Sequence, residues 1–149
     1  MAPTQLSPSD AVAALIVKDG RQILLQLRDD KPNIFFPNRW GSFGGAVESG
    51  ETPEAALLRE LREELGVNFP AVSIRYFTEF TFDFAPWGYG TLYRKFYLVD
   101  AAGRKADRFV LGEGQKLGYF DIDMALSDLN MVPYDEFALW MYRLAKVGK

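Results

Sequence analysis

Three features of the sequence predict an α/β fold in which a mixed sheet is flanked by helices. Apolar runs of strand length come in hairpin pairs, without regular strand–helix–strand alternation. A glycine-bearing loop turns into a short amphipathic helix in the first half of the chain. A second amphipathic stretch lies near the C-terminus. The 149 residues suit one domain with one core, and no repeat or linker divides residues 1–149.

Residues 1–10 are polar with Pro and Ser, and are expected to form a loosely held arm. Residues 11–17 (AVAALIV) read as a buried strand, Lys18-Asp19-Gly20 as a turn, and residues 22–28 (QILLQLR) as the hairpin partner. Residues 29–39 carry two prolines and two asparagines and read as a loop. Its Phe35 and Phe36 are either core plugs or an apolar wall over a substrate. Residues 40–43 form a short strand into Gly44-Gly45. Residues 72–84 hold an alternating stretch with Phe80, Phe82 and Phe84 on one face, and residues 91–99 return antiparallel after an APWGYG turn. That aromatic density suits either base stacking or a sheet face under a helix. Residues 117–121 form a further strand, residues 124–127 a helical turn. Residues 135–146 form a helix with Phe137, Leu139, Trp140, Met141 and Leu144 on its apolar side.

The stretch GAVESGETPEAALLRELREELGV (residues 45–67) carries the chemistry. Thr52 is an N-cap, Pro53 suits the first helical position, Glu54 complements the helix dipole and Gly66 is a C-cap. Leu57, Leu58, Leu61 and Leu65 make the buried stripe, whereas Glu60, Glu63 and Glu64 share one turn on roughly one side. Like charges so spaced destabilise a helix by about 0.2–0.5 kcal/mol per pair. A solvated face relieved by Arg59 and Arg62 leaves Gly45, Gly50 and Glu51 unexplained. A hard divalent cation, which wants oxygen ligands, accounts for the whole pattern.

Composition narrows the chemistry further. There is no cysteine and no histidine, which excludes disulfides, thiolate or imidazole metal sites, and Ser–His or Cys–His nucleophiles. A formal net charge of −3 argues against a broad surface for polymeric nucleic acid. No signal pattern or membrane-length apolar run is present, so a cytoplasmic protein with no membrane partner is expected.

The 45–67 stretch resembles the Nudix box, G-x5-E-x7-R-E-U-x-E-E-x-G-U with U aliphatic. Gly45, Glu51, Arg59, Glu60, Leu61, Glu63, Glu64, Gly66 and Val67 fill its specified positions. The resemblance implies the Nudix α/β/α sandwich with a mixed sheet, and a loop–helix that binds divalent metal and a nucleoside diphosphate-linked substrate. Phe43 stands where the family commonly has a proline before the glycines. By the same resemblance Glu60, Glu63, Glu64 and the Gly45 carbonyl are metal ligands, with Mg2+ expected and Mn2+ an alternative, both taking oxygen donors. Glu51 and Arg59 match the pair that fixes the loop on the helix and are counted with the catalytic set; an ordinary surface ion pair is the plainer alternative.

The general base is open among Glu63, Glu64 and Glu113. Glu113 lies in a Glu-Gly-Gln segment resembling the one that supplies an extra loop glutamate in mutator-type nucleoside triphosphate pyrophosphohydrolases; a plain surface carboxylate is its alternative. Asp135, in VPYDE, resembles the base-contacting turn of the same subgroup, or it N-caps the last helix. With Phe36 and Arg28 it makes up the substrate-binding candidates. The expected function is hydrolysis of a nucleoside triphosphate, such as an oxidised guanine nucleotide, to monophosphate and pyrophosphate by a monomer or homodimer. The alternatives are a nucleotide-sugar or dinucleotide pyrophosphatase and a non-catalytic nucleotide sensor.

Overall fold

The run AVAALIV predicts a strand covered on both sides, and β1 (Ala11–Lys18) is that strand in the computed structural model, which describes residues 10–147. The arm expected over residues 1–10 lies, apart from Asp10, outside the described residues. Successive β1 side chains alternate between the two faces. Val12, Ala14 and Ile16 meet Leu57, Leu61 and Leu65 of α1 (Pro53–Leu65) in one core. Ala13, Leu15 and Val17 meet Ile122 and Ala125 of α2 (Ile122–Asp128) and Ala138 and Leu139 of α3 (Pro133–Val147) in the other. The sheet is therefore the middle layer of an α/β/α sandwich, as the resemblance implied. Each fully buried leucine contributes about 1.5–3 kcal/mol by leaving water.

One edge of β1 pairs in parallel with β6 (Thr91–Asp100), residues 11–17 against 94–100. The other edge is divided. Residues 11–14 pair antiparallel with β4 (Phe43–Ala46), and Val17 and Lys18 pair with β2 (Gln22–Leu27). From there β2 swings away, pairing with β7 (Lys116–Asp121) along its length and with β3 (Trp40–Gly41) at its end. β5 (Ile74–Asp83) closes the far side against β6. The sheet thus splits between β4 and β2. Two buried polar residues, Gln26 and Ser42, meet across the split, where the Gln26 amide donates to the Ser42 carbonyl at 3.4 Å.

The strand expected over residues 40–43 is interrupted at Ser42, whose N–H donates to Asp135 instead of a neighbouring strand. Phe43, in the place of the common proline, is fully buried and pairs with Ala14. In α3 the expected apolar side is largely wrong. Leu139 is buried, but beside Tyr134 and Ala138, while Phe137, Trp140 and Leu144 are exposed. The helix begins two residues earlier than expected, and its inner face is set by these smaller or polar-tipped residues. Phe137 still covers Phe80 at 4.9 Å and Phe82 at 6.4 Å, so the phenylalanines of β5 form a sheet face under a helix.

α1 has the expected ends. Thr52 accepts from the Ala55 N–H at 3.1 Å, and Gly66 caps the helix with φ 67°. Leu58 is only partly buried, and Glu64 takes the inner position that follows Leu57 and Leu61. Thr52→Ala removes the cap acceptor and should lower stability by about 1 kcal/mol. For a chain of this size that is a fall of roughly 2–4 °C in thermal midpoint, readable by calorimetry.

Candidate active site

The split in the sheet opens into a cleft of about 280 Å3 whose wall includes Gln26, Arg28, Phe35, Glu64, Arg94 and Glu113. A larger depression of about 610 Å3, beside Arg75, Asp100, Arg104 and Tyr142, contains none of the loop–helix residues. The smaller cleft is the one that Glu64, Glu113 and the Gly44–Gly45 backbone line.

Glu64 is the centre of that cleft. Its side chain enters the split, where Oε1 accepts from the Gly44 N–H at 3.1 Å and Oε2 from the Gln26 amide at 3.0 Å. Burial pushes its carboxyl up to about 8, and the Glu60 charge adds to the rise. Burial likewise raises the Glu60 carboxyl, with Glu63 and Glu113 adding repulsion against the relief from Arg59. The Glu60 carboxylate lies hard against Gly45, where any Cβ would come within 2.5 Å of it. Only glycine lets the loop backbone approach the helix this closely.

Arg59 fixes the loop on the helix. Its Nε and Nη2 donate to the two oxygens of Glu51 at 2.7 and 2.9 Å, and Nη2 also reaches the Ala46 carbonyl at 3.1 Å. Glu51 in turn accepts from the Glu48 N–H at 2.9 Å. The Arg59 bond holds the Glu51 carboxyl down at about 2, and Glu51 holds the guanidinium charged. Neither residue is in the cleft wall, and the pair ties the loop to the helix beside it.

The expected meeting of three carboxylates at a point is not seen. Among the described residues no group of three or more acidic side chains is close enough to hold a metal. Glu64 follows the buried stripe inward, whereas Glu60 and Glu63 both turn toward Arg59 Nη1, at 2.9 and 3.3 Å. The donor chemistry nonetheless fits a hard divalent ion. The charge of Glu60 adds to the rise of Glu64, and that of Glu113 to the rise of both, and a cation among them would offset that repulsion.

Glu113 is brought to the site by backbone bonds. The Val110 and Gly112 N–H groups donate to the carbonyls of Leu65 and Glu64 at 2.9 and 2.8 Å. Gln115 N–H donates to Leu27 at 2.8 Å, and its side chain to the Arg28 carbonyl at 2.9 Å. Gly112 passes so close to α1 that a Cβ would stand 2.3 Å from the Glu63 carbonyl.

The substrate candidates divide. Arg28 lines the cleft, with its Nε donating to the Phe35 carbonyl at 2.9 Å. Phe36 does not. It packs against Phe84 at 5.3 Å and Tyr134 at 5.8 Å as a core plug, and Phe35 takes the cleft wall. Asp135 is 2% exposed and behind the wall. Its oxygens accept from the Ser42 hydroxyl at 2.7 Å and the Ser42 N–H at 3.0 Å, so its bonds run to the β3–β4 segment and not to the first turn of its own helix. Sequence reasoning passed over Gln26, Ser42, Arg94 and Tyr134. The signal for two of them was available: Gln26 alternates with Leu24 on one face of β2, and Arg94 with Leu92 and Phe96 on one face of β6.

A family model described as NUDIX domain matches residues 7–142. Nucleoside triphosphatase NudI of Escherichia coli O139:H28 is 51% identical over 55 residues, which is 37% of this chain and 38% of that protein. A MutT of the pair from Aliivibrio salmonicida and Vibrio cholerae superposes with TM-score 0.69 at 26% identity, covering 91% of this chain and 97% of that one. The MutT NUDIX hydrolase of Burkholderia pseudomallei superposes with TM-score 0.71 at 27% identity, covering 90% and 97%. With the box helix, the glycine loop and the split sheet in their places, the chain belongs to the NUDIX domain family.

Proposed function

We propose that the chain is a metal-dependent pyrophosphohydrolase that cleaves a small nucleoside triphosphate to the monophosphate and pyrophosphate. The observation that carries the reading is the meeting of Glu64 and Glu113 with Arg28 and the Gly44–Gly45 backbone in one cleft, with the Glu60 carboxylate packed against Gly45. The similarity to a nucleoside triphosphatase and to MutT structures supports the substrate class.

Glu60, Glu63 and Glu64, with the Gly45 carbonyl, would hold magnesium, or manganese in its place. Such an ion polarises phosphoryl oxygens and makes bound water a better nucleophile. Arg28 keeps its Nε on the Phe35 carbonyl, leaving the outer end of its fork for phosphate oxygens. Glu113, free of any ion pair among the described residues, accepts the proton of the attacking water through its carboxylate. As the water oxygen bonds to phosphorus, the bridging P–O bond breaks and pyrophosphate leaves.

Activity should vanish with a chelator and return with magnesium. Glu63→Gln and Glu64→Gln should each lower turnover at least about a hundredfold, or about 2.7 kcal/mol of barrier. Near-normal turnover in both variants would place the active site elsewhere.

A second test reads stability. The Glu64 carboxyl is raised from 4.5 to about 8 on folding. It therefore stabilises the fold fully below about pH 4.5, and that contribution is lost as the pH rises through about 8. With metal chelated, the thermal midpoint should fall across this window, and Glu64→Gln should flatten the fall. Magnesium should raise the midpoint more at pH 8 than at pH 5. A wild-type midpoint level across the window contradicts this placement of Glu64.

A further inference from the structure

Arg94, on β6, is a buried charged residue whose hydrogen-bonding capacity the fold leaves unused. The residue is 8% exposed, yet its buried Nε has no hydrogen-bond partner. The Asp135 carboxylate is 3.5 Å from that Nε, which balances charge at a distance longer than an ordinary N–H···O bond. The guanidinium lies over the Tyr134 ring at 4.6 Å and forms part of the cleft wall. The enclosed Nε is turned to Asp135, whereas the two Nη groups make no hydrogen bond among the described residues and are the donors a ligand would complete.

Two further observations bear on that ligand. Arg94 lines the cleft with Leu92 and the Tyr134 ring, in the same cleft in which Glu64 meets the Gly44 N–H. A planar heteroaromatic ring suits the wall beside Tyr134, and a phosphate suits the Glu64–Gly44 region. Arg94 is also held at a set distance from Glu64 by a continuous relay. The Gln26 amide bonds Glu64 and the Ser42 carbonyl, the Ser42 N–H and hydroxyl bond Asp135, and Asp135 faces Arg94.

We propose that Arg94 reads the nucleobase of the substrate by donating two parallel hydrogen bonds to a pair of adjacent acceptors, O6 and N7 of guanine or O2 and N3 of cytosine. The inference rests on the nucleotide reading above. A guanidinium has donors only, and its planar fork matches two neighbouring acceptors. Adenine sets a donor beside N7, and thymine sets a ring N–H between its carbonyls, so neither offers such a pair. Asp135 is a positioning residue that acts through Arg94.

The test is kcat/KM for dGTP, dCTP, dATP and dTTP with magnesium, in the wild type, Arg94→Lys and Arg94→Gln. The wild type should favour dGTP or dCTP over dATP and dTTP by roughly five- to 150-fold, the range a bidentate contact supplies. Whichever of the two leads identifies the base. Arg94→Lys keeps the charge but loses the fork, and should reduce the preferred substrate at least about fivefold while dATP changes less than about threefold. Calorimetry of dGMP, dCMP, dAMP and dTMP binding to the wild type should give the same order and needs no variant to fold. A uniform loss across all four triphosphates would assign Arg94 to phosphate or to the fold, and overturn the inference. Equal wild-type affinities for the four monophosphates would also overturn it. Neither turnover nor binding of any nucleotide would instead sink the substrate class itself, and this inference with it.

Discussion

The carboxylate of Glu64 sits inside a protein sheet, and the rest of the site is arranged to tolerate it. A buried charge costs several kcal/mol unless it is bonded or neutralised. The Gly44 N–H and the Gln26 amide supply the bonds, and they exist only because β1 shares one edge between two strands. Were β2 to stay paired with β1 throughout, the opening that admits Glu64 would close. The fold and the acid are therefore one device. The split provides donors from opposite lips, and a cation in the opening would hold as a carboxylate the acid that burial otherwise keeps protonated.

Around this centre the helix and its loop are joined by a different logic. Arg59 gathers Glu51, Glu60, Glu63 and the Ala46 carbonyl on one side chain. It binds loop to helix outside the cleft, where competition from water is harmless, and it leaves the cleft face to groups that can meet a ligand. Glu113 is delivered separately, by a segment tied through backbone bonds to the end of α1 and to β2. Three separate parts of the chain thus face one another with little dependence on long, flexible side chains.

Much of this was legible in the residues. The two-sided burial of β1 followed from an unbroken apolar run, and both ends of α1 followed from Thr52 and Gly66. The loop–helix motif named the carboxylates and the Glu51–Arg59 lock before any coordinates. Helical periodicity failed at two places for one reason: position on a helix wheel does not say what lies opposite. Glu64 was assigned with Glu60 and Glu63, although it follows Leu57 and Leu61 inward. On α3, large apolar residues were assigned to the inside, although Ala138 and Asp135 occupy it and Trp140 is exposed. Asp135 could not be read alone, because its partners Ser42, between β3 and β4, and Arg94, on β6, are distant in the sequence.

The parallel pairing of β1 with β6 has a kinetic consequence. Residues 11–17 find their partners at 94–100, and the intervening chain must first be looped out. Contacts of such sequence separation form late and slowly, because loop closure is entropically costly before the pairing rewards it. The cleft draws its wall from β2, β4, α1, β6, the segment before β7 and the start of α3, so no early hairpin contains a partial version of it. Until β6 docks, one edge of β1 stands unpaired along residues 11–17. The folding chain is then most exposed to aggregation at β1 itself, its most hydrophobic strand.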